Sequence, residues 1–254
     1  MATLIKTIEP DGGDSSATCR PEVYIYKHVN PDKKYRKWAA EGVETVMDRL
    51  LNDNRIGDYK IYVYNSGTFF CCNADGNCNS YRKQLENWRL NNGFQTVGSH
   101  FAITRCVDNA YFQVLGKADG TGGWDNNDGA DAWGRTRDDT GAQIGETYWK
   151  KIAAHEVLHN FLETSTSNGA YRMAGCTSDD HRLSTVTPYY DNETVMSAPG
   201  DDSSWKQGCC SSSTSPSGYT QRISSCTSKA MEYSAEWEIQ DYCEGSVSDT
   251  CSPC

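Results

Sequence analysis

The chain has 254 residues and a formal net charge of −10, enough for one large domain or two closely packed lobes around a sizeable core. The acidic balance excludes a nucleic-acid partner by composition, since no basic stripe is available to neutralise phosphates, and no apolar run approaches the roughly 20 residues needed to cross a bilayer. Twelve cysteines, an even number, fit a disulfide framework better than a reduced cytosolic chain and point to a secreted, extracellular protein.

Residues 1–15 lack the apolar core of a signal peptide, so the sequence reads as a mature form from which a leader has been removed. Residues 22–29 (EVYIYKHV) alternate and are rich in β-branched and aromatic side chains, which predicts a strand. A helix follows over 34–51, with Tyr35, Ala39, Val43, Val46 and Leu50 on one face and Asn54 and Gly57 closing it. Residues 59–64 (YKIYVY) form the next predicted strand, and a crossover of this length predicts two parallel neighbours in one sheet. After the cysteine-rich stretch 71–79, Tyr81, Leu85 and Trp88 mark a short helical face. Strands are expected over 101–107 and 111–115, with Asp108 and Asn109 as a hairpin turn. Residues 118–134 (ADGTGGWDNNDGADAWG) read as loop. Asp125, Asn127, Asp128 and Asp131 in that loop are candidate Ca2+ ligands, although their spacing departs from the EF-hand pattern. His28 and His100, on strands far upstream of the motif described next, read as structural.

The most informative stretch is 155–159, His-Glu-Val-Leu-His, on a helix predicted to begin at Glu146. Positions i and i+4 lie one above the other on a helix face, so His155 and His159 can converge on one cation. Zn2+ suits imidazole nitrogen and tolerates tetrahedral coordination. Glu156 then has the position of a general base acting on a water. The helix is expected to end past Glu163, where the sequence turns to Thr, Ser, Asn and Gly. Two imidazoles do not complete a zinc site, and the candidates for the third ligand are Glu163, Asp179, Asp180, His181, Glu193 and Glu232. His181 is the choice, being the only histidine after the helix, with Asp179 and Asp180 beside it.

Residues 165–220 are polar, rich in Gly and Ser, and carry Cys176, Cys209 and Cys210, which predicts an irregular lower lobe (165–254) held by disulfides below an upper α/β lobe (20–164). A last helix is predicted over 228–242, with Met231, Ala235, Ile239 and Tyr242 on one side. Cys251 and Cys254 read as disulfide partners of the framework, as does Cys19, and Asn192 in Asn-Glu-Thr is a formal glycosylation acceptor expected to stay unmodified.

His155-Glu-Val-Leu-His159-Asn-Phe161 resembles the active helix of the zincin metallopeptidases. Glu193-Thr-Val-Met196-Ser197 resembles the Met-turn of the metzincin clan, and 224–227 is similar to a C-terminal stretch of the reprolysin group. Metzincins usually continue HExxHxxGxxH, whereas Leu162 and Ser165 stand at the glycine and third-histidine positions here. Leishmanolysin-like members insert a segment before the third histidine, and a return through His181 to Met196 follows that plan. The resemblance implies a zincin-like α/β fold with a mixed sheet and the active-site helix in the upper lobe, and a monomeric zinc endopeptidase acting on protein or peptide substrates. In it His155, His159 and His181 hold Zn2+, Glu156 is the base and Met196 floors the site. Ala198 stands where the clan often has a tyrosine, leaving Tyr189, Tyr190 and Tyr219 as substitutes. Two other readings are a gluzincin with Glu232 as third ligand, since Glu232 to Glu236 is similar to that group's glutamate motif, and a non-catalytic secreted domain with a structural zinc.

Overall fold

The computed structural model describes residues 2–14, 20–67, 77–78, 81–105, 107–108, 115–118, 123–124, 129–138, 140–162, 192–193, 195–196, 218–219 and 221–245. They form an α/β structure on a mixed six-stranded sheet. In chain order its strands are β1 (Leu4–Ile8), β2 (Glu22–His28), β3 (Lys60–Gly67), β5 (Ser99–Thr104), β7 (Gly116–Ala118) and β8 (Ala130–Arg135). The spatial order is β1-β3-β2-β5-β8-β7. β3, β2, β5 and β8 run parallel, and β1 and β7 close the two edges antiparallel. Two-stranded pieces lie apart, β4 (Asn77–Cys78) with β6 (Val107–Asp108) and β9 (Asn192–Glu193) with β10 (Gly218–Tyr219).

The helices among the described residues are α1 (Lys33–Asn52), α2 (Tyr81–Asn92), α3 (Glu146–His159) and α4 (Ser225–Gly245). α1 buries Tyr35, Ala39, Val43, Val46 and Leu50, the face its 3.6-residue periodicity predicts. It ends at a Schellman turn: Asn54 takes φ 54°, and the amides of Asn54 and Arg55 donate to the carbonyls of Leu51 and Leu50, each at 2.9 Å. β2 and β3 are parallel neighbours as the crossover implies.

α1 and α3 share one face of the sheet, where Val23, Ile25, Ile61, Phe101, Ile103 and Ala132 meet Val43, Met47, Trp149, Ile152 and Val157. Val195, Met196, Ala230, Met231 and Ala235 belong to the same core, so the turn at 195–196 and the first part of α4 pack on the α/β layer. α2 covers the opposite face with an aromatic cluster of Tyr24, Tyr26, Trp88, Phe94 and Trp133.

α3 is the central helix, buried at every residue from Lys151 to Leu158. Small residues let it sit close. Along β8, Ala132 and Gly134 face it, and a Cβ on Gly134 would come 2.9 Å from the Trp149 ring. On α1, a Cβ on Gly42 would collide with the Lys150 carbonyl. The Trp149 indole N–H donates to the Tyr35 carbonyl at 2.8 Å and fixes the rotation of α3 against α1.

Several sequence expectations are corrected. Residues 118–134 are not loop throughout, because β8 occupies Ala130–Arg135 and pairs on both sides. β5 stops at Thr104, with β2 and β8 on its two edges, and residues 109–114 of the expected hairpin lie outside the described residues. β1, paired with β3 along one edge, is an additional strand that the sequence reading lacks. α3 stops at His159, earlier than the expected end past Glu163, and α4 starts three residues sooner than 228. Cys226 on α4 is disulfide-bonded. Cys19, Cys71, Cys72, Cys106, Cys176, Cys209, Cys210, Cys251 and Cys254, and most of the expected lower lobe, lie outside the described residues. Among the described residues no helix is long and apolar enough to cross a membrane.

Candidate metal centre

The last turn of α3 brings His155 and His159 together, as i and i+4 spacing requires. Their Nε2 atoms lie 2.9 Å apart and the rings stand nearly perpendicular, at 88°. One ligand atom each from His155, Glu156 and His159 fall within 4.8 Å of one another, the one group of potential metal donors among the described residues. His155 and Glu156 are buried and His159 is half-buried.

The tautomer of His155 follows from its surroundings. Its Nδ1 lies 2.8 Å from the Val195 carbonyl oxygen, which can only accept, so Nδ1 carries the proton and Nε2 keeps its lone pair toward His159. A carbonyl behind a liganding imidazole is the usual way a protein fixes ring orientation and raises ligand basicity. Two nitrogens about 2.0–2.1 Å from a tetrahedral zinc stand roughly 3.3 Å apart, a few tenths of an ångström from the separation here. The donor set therefore fits a zinc ion, with His155 and His159 as ligands. Glu156, following His155 in the chain, fits a proton-handling role beside it.

Two anchors hold this end of α3. Asn160, fully buried, donates from its side-chain amide to Ser99 Oγ at 2.8 Å and to the Ala130 carbonyl at 3.1 Å, tying the helix end to the first residues of β5 and β8. The Trp124 indole donates to the Phe161 carbonyl at 2.8 Å, and the Gly123 amide to the Asn160 carbonyl at 2.8 Å. On the other side, the Val195 amide donates to the Arg222 carbonyl at 2.9 Å, just before Ser224 caps α4 by accepting from the Thr227 amide at 2.9 Å. Met196 is buried in the turn beside Val195.

The remaining candidates separate. His181, Glu163, Asp179 and Asp180 lie outside the described residues, as do Asp125, Asn127, Asp128, Tyr189, Tyr190 and Ala198. Glu193 is in β9 and Tyr219 in β10. Glu232 is ion-paired with Arg55 at the end of α1, and it is not part of the donor group around His155. Asp131 is the one candidate Ca2+ ligand among the described residues. It is buried on the α2 face and forms a two-pronged ion pair with Arg89, Nε to Oδ1 at 2.7 Å and Nη2 to Oδ2 at 3.1 Å, because strand alternation turns it away from α3.

His100 is structural. The Thr96 carbonyl accepts from its Nε2–H at 3.0 Å, so its Nδ1 accepts the Tyr26 hydroxyl at 2.9 Å. Burial holds its pKa well below the usual imidazole value, with the Arg89 charge adding to the effect. Sequence reasoning missed the Val195 carbonyl, Asn160 and Trp124. Asn160 directly follows the motif and is a polar residue at a helix end, a signal that could have drawn attention; a backbone carbonyl leaves none. Comparisons with family models, with curated proteins and with solved structures find no match to this chain.

Proposed function

We propose that the protein is a secreted zinc endopeptidase of the metzincin kind, hydrolysing peptide bonds with Glu156 as general base. The observation that carries this reading is the convergence of the His155 and His159 Nε2 atoms at 2.9 Å beside the Glu156 carboxylate. Support comes from the Val195–Met196 turn, which supplies the carbonyl behind His155 and buries a methionine where the motif resemblance expects one. His181 is proposed as third ligand. The segment carrying it leaves the site at Leu162, buried in the core after α3, and ends near Val195, again at the site.

A zinc ion held there supplies Lewis acidity, polarising a carbonyl and making water acidic enough to deprotonate near neutral pH. Glu156 takes the proton from the attacking water and delivers it to the departing amine nitrogen as the C–N bond breaks. Its buried setting strengthens that exchange, since few waters screen it. Asn160 and the Val195 carbonyl keep the helix end and the His155 ring in place through the reaction. The twelve cysteines, with Cys226 bridged, support an oxidising, extracellular setting.

The test is cleavage of an unbiased peptide mixture by the zinc-loaded protein, by the chelated protein and by Glu156→Gln. Cleavage lost in the chelated sample and restored by zinc, with Glu156→Gln reduced by at least about 10²-fold while still binding zinc, is the expected result. Near wild-type turnover by folded Glu156→Gln sinks the mechanism.

A further inference from the structure

Gly116 opens β7 at the edge of the sheet, directly opposite Gly134 of β8 in the antiparallel register. Opposed residues point to the same face, and on this face Gly134 lies against Trp149 of α3. Gly116 lies against Glu156. A Cβ at position 116 would stand 2.5 Å from Glu156 Oε1, 2.6 Å from Cγ and 2.7 Å from Cδ, all closer than real carbon contacts come. The glutamate side chain is laid across the bare α-carbon.

Backbone adjustment has little room to relieve such a clash. β7 is tied to β8 along its length, and the Arg135 amide donates to the Leu115 carbonyl at 2.9 Å just outside the pair. α3 is held against β8 at Gly134, against Tyr35 through Trp149, and to β5 and β8 through Asn160. The softest element is the Glu156 side chain, which would rotate about its own torsions.

We propose that Gly116 is a positioning residue for Glu156: the missing side chain on the edge strand fixes where the carboxylate rests beside the two histidines. The proposal rests on the reading of Glu156 as the base. Any other residue at 116 displaces the carboxylate without touching either imidazole, so it reduces proton transfer and leaves metal binding alone. A displacement of about 1 Å at a reacting group is worth around 10²-fold in rate.

The experiment is a double-mutant cycle of wild type, Gly116→Ala, Glu156→Asp and the double variant, each zinc-loaded, with kcat, KM, zinc affinity and urea unfolding measured. Aspartate is one methylene shorter and withdraws from the α-carbon at 116. Expected is a kcat loss of about 10²-fold for Gly116→Ala, with KM and zinc affinity within twofold of wild type. Adding Gly116→Ala to Glu156→Asp should then cost less than about twofold, and unfolding should show the same coupling. Equal losses in both backgrounds, an unchanged kcat in Gly116→Ala, or failure to fold in both backgrounds overturns the proposal. A folded wild type that cleaves no peptide sinks the endopeptidase reading instead. In that case the unfolding cycle still reads the contact, and absence of coupling between 116 and 156 overturns the proposal on its own.

Discussion

His100 and His155 are both buried histidines against one sheet, and they sit on its opposite faces. His100 spends both ring nitrogens inside the fold, one on the Thr96 carbonyl and one on the Tyr26 hydroxyl, between stacked tyrosines in an aromatic layer. His155 spends one nitrogen on a carbonyl and turns the other toward a second imidazole. Burial is the same; the direction of the second lone pair differs. A histidine whose two nitrogens both end on protein groups completes a core, whereas one whose Nε2 converges with another Nε2 makes a site for a cation.

The comparison breaks most visibly in metal content. His155→Ala and His159→Ala should each lose zinc by orders of magnitude and activity with it, while His100→Ala should keep full zinc stoichiometry; equilibrium dialysis at nanomolar free zinc decides. Zinc lost equally from a folded His100→Ala would erase the distinction.

Next in size is the ion pair beneath the aromatic layer. Arg89 and Asp131 are both buried, so truncating one leaves an uncompensated charge, and Arg89→Ala or Asp131→Ala should cost about 3–5 kcal/mol in urea unfolding. Losing both together should cost less than the sum.

The sheet face of His100 also carries a pH signature. Because its folded pKa lies below the unfolded value near 6.5, the unfolded chain binds the proton first as pH falls. Stability is therefore intact above about pH 6.5 and declines below it, with a slope of up to about 1.4 kcal/mol per pH unit. His100→Gln should flatten that slope between about pH 6.5 and 5. An unaltered slope would show that another group causes the acid loss.

The smallest effect is expected at Glu232. Its pair with Arg55 is part exposed, so Glu232→Gln should cost under about 1 kcal/mol and leave zinc affinity untouched. Zinc loss in this folded variant would revive Glu232 as a ligand.

How much of this was legible in sequence depends on whether a feature is carried by periodic side chains. α1 was, because Tyr35, Ala39, Val43, Val46 and Leu50 repeat at helical spacing, and so were β2 and β3 with their alternating tyrosines. The HExxH pair was, because helix geometry alone brings i and i+4 together. β8 was hidden in a run of Asp, Gly and Ala whose composition says loop, and it is a strand through its pairing with β5 and β7 on both edges, a long-range property that local composition does not carry. Asp131 looked like part of an acidic loop until the fold delivered Arg89, 42 positions away in the chain. The Val195 carbonyl is backbone and has no sequence signature.

The parallel register of β2, β5 and β8 has a consequence for how quickly the chain can fold. Val23 meets Ser99, and Ser99 meets Ala130, so none of these pairings can be zipped from a tight turn. Each requires closing a long loop before any contact rewards it, which places the protein among slow folders in the millisecond to second range or beyond. Until that closure, the apolar strands 22–28 and 99–104 lack their partners and are exposed to association with other chains. α1 can form early from local contacts alone, whereas α3 gains its seat only once β5 and β8 have met. Helix geometry can bring the histidine pair together early, but its seat against the core is complete only once β5 and β8 have paired.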